Sequence, residues 1–149
     1  MRSGSLPNVT TDTEPEALAH GILESVSDDE LVLAIPHTDY RLHLVPTVPA
    51  GEFGGCVGKR IRGVIQATAL RIHRAQAGGR FIEPVWGAPR IVAGTVCTID
   101  ESHRRVLVDV SVPMWVTVPA GQDLDTLREG NLVNFYVQSG TTFRPVITS

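Results

Sequence analysis

The chain has 149 residues, a net charge of −3 and 42% hydrophobic residues, which is typical of a small globular protein. The small negative net charge excludes a global attraction to nucleic acid or to acidic membranes. Cys56 and Cys97 are too few for a disulfide framework, and no apolar run approaches the ~18 residues of a membrane span. We therefore expect a reduced, cytoplasmic chain without a membrane segment.

Residues 1–18 are polar, contain proline and show no periodic pattern of apolar residues. A segment of this composition cannot bury enough apolar surface to offset the entropy of ordering its backbone. We therefore predict a disordered N-terminal arm over residues 1–18, or an arm that becomes ordered on a partner.

The predicted strands begin at Gly21, and a similar series begins at Gly94. After each glycine the sequence reads as a strand, an acidic turn and a second strand, because β-rich residues are bounded by turn formers. A third strand then ends in the sequence Val-Pro-Ala-Gly, at residues 48–51 and again at residues 118–121. The chain is therefore predicted to be one β unit built twice.

A glycine opens a fourth strand in each copy, at Gly58 and at Gly130. A fifth strand is predicted at residues 81–85 in the first copy and 142–146 in the second, each with a proline at the same place. These elements give two domains, at residues 19–88 and 89–149. The link between them is short and stiff, and we expect Trp86 to pack at the seam between the two units.

Residues 60–77 carry two conflicting patterns. Apolar residues from Ile61 to Ile72 recur at helical spacing, whereas the matching segment of the second copy, residues 132–138, alternates like a strand. We predict a long, bent strand with a bulge or a coil near Gly63. A helix over this segment is the alternative.

Five short antiparallel strands, with a connection between the third and the fourth, resemble the OB fold, a partly open five-stranded barrel. The resemblance covers about residues 19–147 and lies in the order of elements, without a diagnostic motif. It implies an all-β protein of two tandem five-stranded OB-like barrels from an internal duplication. OB folds bind oligonucleotides, oligosaccharides or proteins on strands two and three and the flanking loops. A single sandwich or another small barrel is the alternative fold.

The segment from Phe53 to Ile82 contains no acidic residue. Its basic residues are Lys59, Arg60, Arg62, Arg71, His73, Arg74 and Arg80. A basic strand pair on an OB-like barrel can follow a phosphate backbone, although Phe81 is the one stacking aromatic within this hairpin. The alternatives are a solvated hairpin face, or ion pairs with the acidic first hairpin of the same or a neighbouring unit.

Large aromatic residues lie on the strands of the second copy. Trp115 and Tyr136 are candidate anchors for a partner, because exposed aromatic side chains carry much of the binding energy of protein interfaces. The alternative for both residues is packing in the core.

Candidate catalytic and metal-binding residues are few. His37, Asp39 and His43 lack a further ligand at zinc-like spacing, and Cys56 has no catalytic signature around it. We therefore predict no metal, no cofactor and no enzymatic activity. The leading hypothesis is a non-enzymatic binding or assembly module that contacts a protein partner or itself. The alternative is single-stranded nucleic-acid binding through the basic hairpin, and a metal-dependent enzyme is the third hypothesis.

Overall fold

The computed structural model describes residues 14–146, and this part of the chain is all-β, as predicted. Its helical segments are short 3-10 helices at Pro15–Ala17, Ala50–Phe53 and Leu124–Thr126. The predicted disordered arm lies outside the described residues up to residue 13. Its remaining part is ordered, because Ala17 and Leu18 are buried against the sheet. No helix in this part of the chain has the length and apolarity that a membrane crossing requires.

Eleven strands form in residues 14–146, and buried and less buried side chains alternate along many of them, as a pleated strand with one face on the core requires. They are β1 (Ala19–Val26), β2 (Leu31–Ala34), β3 (Arg41–Pro46), β4 (Arg60–Ala75), β5 (Phe81–Glu83), β6 (Trp86–Gly87), β7 (Ile91–Asp100), β8 (Arg105–Asp109), β9 (Pro113–Thr117), β10 (Leu132–Val137) and β11 (Thr142–Pro145).

The strand pairings close into two circuits that share β4. In the first circuit β1, β2, β3, β11 and β4 pair in that order, and β4 pairs back onto β1. In the second circuit β7, β8, β9, β4 and β10 pair in that order, and β10 pairs back onto β7. The pairs β3–β11 and β9–β4 are parallel and occupy the same place in the two circuits.

Each circuit takes one strand from the other half of the chain. Residues 63–66 of β4 pair with β11 in the first circuit, and residues 66–68 pair with β9 in the second. The first half of the chain therefore supplies one strand, β4, to the second circuit. The second half supplies one strand, β11, to the first circuit. The hydrogen-bonded network does not divide at residue 88. The domain boundaries at residues 19–88 and 89–149 stay a prediction.

The strand predicted at residues 81–85 as the fifth of the first copy is placed differently. Phe81–Glu83 forms β5, which pairs with β7 of the second circuit instead. The strand that takes the place of β11 in the second circuit is the part of β4 at residues 66–68. This part pairs in parallel with β9, as β11 pairs in parallel with β3.

The strand prediction for residues 60–77 is confirmed, since β4 runs from Arg60 to Ala75. The bulge lies at Leu70, not near Gly63: the register with β10 passes from Ala69 to Arg71, and Leu70 is 61% exposed. Gly63 serves a different purpose. A Cβ on Gly63 would lie 2.5 Å from Cζ of Phe143, so the glycine lets β11 approach β4 closely.

The positions that the sequence repeat aligns make matching backbone contacts. The carbonyl of Pro49 accepts a hydrogen bond from the N–H of Glu52 at 2.9 Å, and the carbonyl of Pro119 accepts one from Gln122 at 2.9 Å. The first strands β1 and β7 each have a register shift three residues after their opening glycine. The shift in β7 leaves Cys97 exposed on the surface.

One continuous apolar core lies inside both circuits, and Phe143 and Phe135 are among its largest buried side chains. A smaller cluster on the outer side of β9 contains Trp115, Leu107 and Leu18. Trp86 does not pack at a seam between two units. Its side chain is 69% exposed, and its indole N–H donates to the Asp39 carbonyl at 2.9 Å.

Candidate functional site

Four neighbouring strands, β4, β10, β7 and β5, cover the core with one face. One residue from each strand forms a buried row across the sheet, in the order Ile72, Phe135, Val92 and Ile82. Successive side chains of a strand point to opposite faces, so the residues on either side of this row point outward. Because the buried row points into the core, its neighbours along each strand lie on the face of the sheet that is turned away from the core.

The outward side chains form two further rows, which we call the open face. Its residues are His73, Asn134, the small and buried Ala93, and Phe81 in one row, and Arg71, Tyr136, Ile91 and Glu83 in the other. Directly opposed residues of antiparallel strands have Cβ atoms about 4.5–5.5 Å apart, so each row is a set of side-chain neighbours. Four strands at about 4.8 Å spacing make the open face roughly 14 Å wide.

Two aromatic rings lie among the basic side chains of the open face. Tyr136 is 60% exposed and lies directly opposite Arg71, while Phe81 lies in the row of His73. Leu70 is also exposed, at the bulge beside Arg71. Tyr136 and Arg71 are 65 positions apart in the chain, and the sequence assigns them to different copies of the repeat. The pairing of β10 with β4 brings them together.

The positive charge of the open face is available to a ligand. Among the ion pairs of residues 14–146, no carboxylate is partnered with Arg71 or His73. Glu83 carries the one negative charge of the face and lies at its far edge on β5. Arg80 is engaged elsewhere, since its Nη1 lies 2.6 Å from Oδ2 of Asp109.

The remaining predicted basic residues lie apart from the open face. Arg74 is opposite the inward-pointing Val133, so its Cβ belongs to the other face of β4, although its side chain is exposed at the strand end. Lys59, Arg60 and Arg62 lie at the N-terminal end of β4. Arg62 and Arg71 are nine residues apart, which is roughly 30 Å along a strand.

Trp115 has no surface for a partner. Its side chain is 0% exposed, packed with Ala17 and Leu18, and the guanidinium of Arg105 lies 3.9 Å from its ring centroid. The prediction that Trp115 contacts a partner is therefore wrong, and core packing accounts for the residue. The corresponding prediction for Tyr136 is compatible with its exposure and stays a prediction.

The residues weighed as metal ligands form no cluster in the structure. His43 Nδ1 lies 3.4 Å from Oε1 of Glu30, and His37 has a left-handed backbone with φ of 64° in a turn. Within residues 14–146 no group of three or more His, Cys, Asp or Glu side chains is arranged to hold a metal ion.

The turn between β7 and β8 brings a serine, a histidine and an aspartate together, a cluster that sequence reasoning missed. Nδ1 of His103 lies 3.1 Å from Ser102 Oγ and 2.9 Å from Asp100 Oδ2. A single ring nitrogen cannot accept a proton from the hydroxyl while donating its own to the carboxylate, so this is not a Ser-His-Asp relay. The cluster stabilises the turn instead.

Asp100 is the anchor of this turn, with 2% of its surface exposed. Burial by itself raises the pKa of a carboxyl group. Hydrogen bonds from Ser102, Arg105 and His103, together with the charge of Arg105, outweigh burial and lower the pKa of Asp100 to about 2. Arg105 Nε donates to Asp100 Oδ2 at 2.9 Å, so the carboxylate stays ionised and paired at neutral pH.

Comparison with protein-family models, with curated proteins and with solved structures finds no significant match to this chain.

Proposed function

We propose that the protein is a non-enzymatic binding module and that its open face binds single-stranded nucleic acid. The observation that carries the proposal is the exposed Tyr136 beside Arg71, which has no ion-pair partner within residues 14–146, with Phe81 and His73 in the adjacent row. Aromatic rings stack on bases of any sequence, and cationic side chains attract the phosphates between them. The face supplies both kinds of contact within a width of roughly 14 Å.

We propose further that each circuit is an OB-like barrel from an internal duplication and that the two barrels exchange one strand. Three consecutive strands, a parallel closing strand and a strand that pairs back onto the first give both circuits the same order. The matching hydrogen bonds at the Pro49 and Pro119 corners support a common origin of the two copies.

The proposed site differs from the one that the OB resemblance implied. In the second circuit strands two and three are β8 and β9, and Leu107 and Trp115 on their outer side are covered by Ala17 and Leu18. The open face instead uses β4, β10, β7 and β5. Its aromatic side chains are exposed, whereas those of the covered side are not.

A protein partner or self-association through the same face is the second candidate. Leu70, Tyr136 and Phe81 are large apolar side chains exposed on β4, β10 and β5 of this sheet, as in the core of a protein interface. A cytoplasmic location stays part of the proposal. The two candidates differ in salt dependence, because binding that releases counterions from phosphates weakens steeply with salt.

The proposal is tested by fluorescence anisotropy of labelled mixed-sequence single strands, DNA and RNA, at low and at moderate salt. With Arg71 as the phosphate contact, the slope of log K against log salt should be about −0.7. The double variant Tyr136→Ala, Phe81→Ala should weaken binding by about five-fold or more per stacked base. Arg60→Ser with Arg62→Ser, far from the face, is the matched control and should bind normally.

Two results would contradict the nucleic-acid proposal. One is the absence of binding at low salt, and the other is equal weakening by the control variant and the aromatic variant. In either case the oligomeric state of the wild type and of Tyr136→Ala, measured by sedimentation, tests the second candidate. A wild-type dimer that Tyr136→Ala converts to a monomer would support self-association through the open face.

A further inference from the structure

A cleft of about 520 Å³ lies at the end of β4 that is remote from the open face. Its lining includes the apolar residues Phe53, Ile61 and Val146 and the basic residues Arg60 and Arg62. Pockets of this volume are typical of sites that take one small molecule. The nucleic-acid binding proposed for the open face does not involve this cleft, which lies roughly 30 Å away along β4.

The two arginines of the lining lie on one face of β4, because they are two residues apart on a strand. Arg62 is paired with His20 of β1, so three nitrogen-bearing side chains line the cleft from this face. No ion pair within the described part of the chain engages Arg60 or Arg62. Glu52 is the one carboxylate among the lining residues. The two guanidinium groups outnumber it, so the net charge of the lining is positive.

We propose that this cleft binds a small organic anion. The apolar body of the ligand packs against Val146 and Phe53, and its carboxylate, sulfonate or phosphate group contacts Arg60 and Arg62. Guanidinium groups suit each of these anions, because their N–H donors match two oxygens at once. A neutral molecule of the same shape would leave both guanidinium groups without a partner.

Cys56 lines the same cleft and provides a built-in reporter, whereas Cys97 lies elsewhere, near Asp109. Alkylation by iodoacetate or iodoacetamide forms the same carbon–sulfur bond, expels iodide and needs the same thiolate. The ratio of the two rates therefore cancels the thiolate fraction and isolates the charge of the reagent. Mass spectrometry of the full-length protein gives this ratio for each cysteine.

The expected result is a higher iodoacetate-to-iodoacetamide ratio at Cys56 than at Cys97, by about five-fold, the factor that one favourable charge contact supplies in water. The double variant Arg60→Ser, Arg62→Ser should lower the ratio at Cys56 alone. Arg74→Ser, on the other end of the same strand, is the matched control. Equal ratios at the two cysteines, or an unchanged ratio in the double variant, would overturn the positive charge on which the proposal depends.

Protection from alkylation tests binding itself, with 2-naphthoate as the probe and the neutral 2-naphthamide as its control. The anion should slow the reaction of Cys56 with iodoacetamide and leave Cys97 unchanged, and the double variant should lose this protection. Equal protection by the amide, or none from 2-naphthoate near its solubility limit, would overturn the proposal. Neither outcome depends on nucleic-acid binding, so the two proposals can fail separately.

Discussion

Tyr136 of β10 lies directly opposite Arg71 of β4 in an antiparallel pair, and both side chains are exposed. The pair places an aromatic ring and a cation side by side on an open sheet. Arg74 belongs to the same strand, but its Cβ lies on the other face. Comparing a variant of Arg71 with a variant of Arg74 therefore distinguishes the effect of a cation on the open face from the effect of the net charge on binding.

We predict that Arg71→Ser weakens single-strand binding and that Arg74→Ser leaves it nearly unchanged. Each variant removes one positive charge from β4, so the net charge of the protein changes equally. The salt slope should fall by about 0.7 for Arg71→Ser, the value for one phosphate contact on a single strand. Anisotropy titrations at several salt concentrations measure both quantities. Equal losses in the two variants would indicate a diffuse charge effect.

Gly63→Ala should destabilise the protein by about 1–3 kcal/mol or more. A Cβ at this position would lie 2.5 Å from Cζ of Phe143 and would also meet the carbonyl of Arg144, so β11 must move away from β4. Gly79→Ala is the control, because a Cβ there meets no atom within 4 Å. Urea unfolding gives both free energies. A neutral Gly63→Ala would show that β11 does not lie closely against β4.

The free energy of unfolding should decrease as the pH falls from about 4 to 2, partly through Asp100. The folded pKa of Asp100, about 2, lies below the ordinary value of 3.8. Its stabilising contribution is therefore present above the unfolded pKa and lost as the pH falls through the folded pKa. Asp100→Asn should cost on the order of 2 kcal/mol at pH 7, and this cost should shrink toward pH 2. Denaturant unfolding at a series of pH values measures it.

Phe143→Ala should destabilise both circuits together, by about 3–5 kcal/mol. Phe143 belongs to the second half of the chain, but its strand pairs with β3 and β4 of the first circuit, and its side chain is fully buried in the shared core. Hydrogen exchange at Leu33 of β2 and at Val108 of β8 reports on the two circuits. Loss of protection at Val108 alone would favour independent domains at residues 19–88 and 89–149.

Local sequence patterns were sufficient for the elements that depend on local chemistry. The Val-Pro-Ala-Gly corners and the glycines that open β4 and β10 were recognised because proline and glycine restrict the backbone where they stand. Alternation of apolar residues in the matching segment of the second copy, residues 132–138, identified β4 as a strand. These features need no knowledge of what the segment touches.

The tertiary structure alone decided which strands pair and which side chains remain exposed. Hydrogen bonding between strands is non-local, so Phe81–Glu83 pairs with β7, and β11 crosses to β3, without any mark in their own sequences. Trp115 and Tyr136 are both aromatic residues on strands. Leu18 packs against Trp115, which is buried, whereas Tyr136 lies on the face opposite the core and is exposed. A one-residue difference in register exchanges the two faces of a strand, and the packing of the whole chain determines that register.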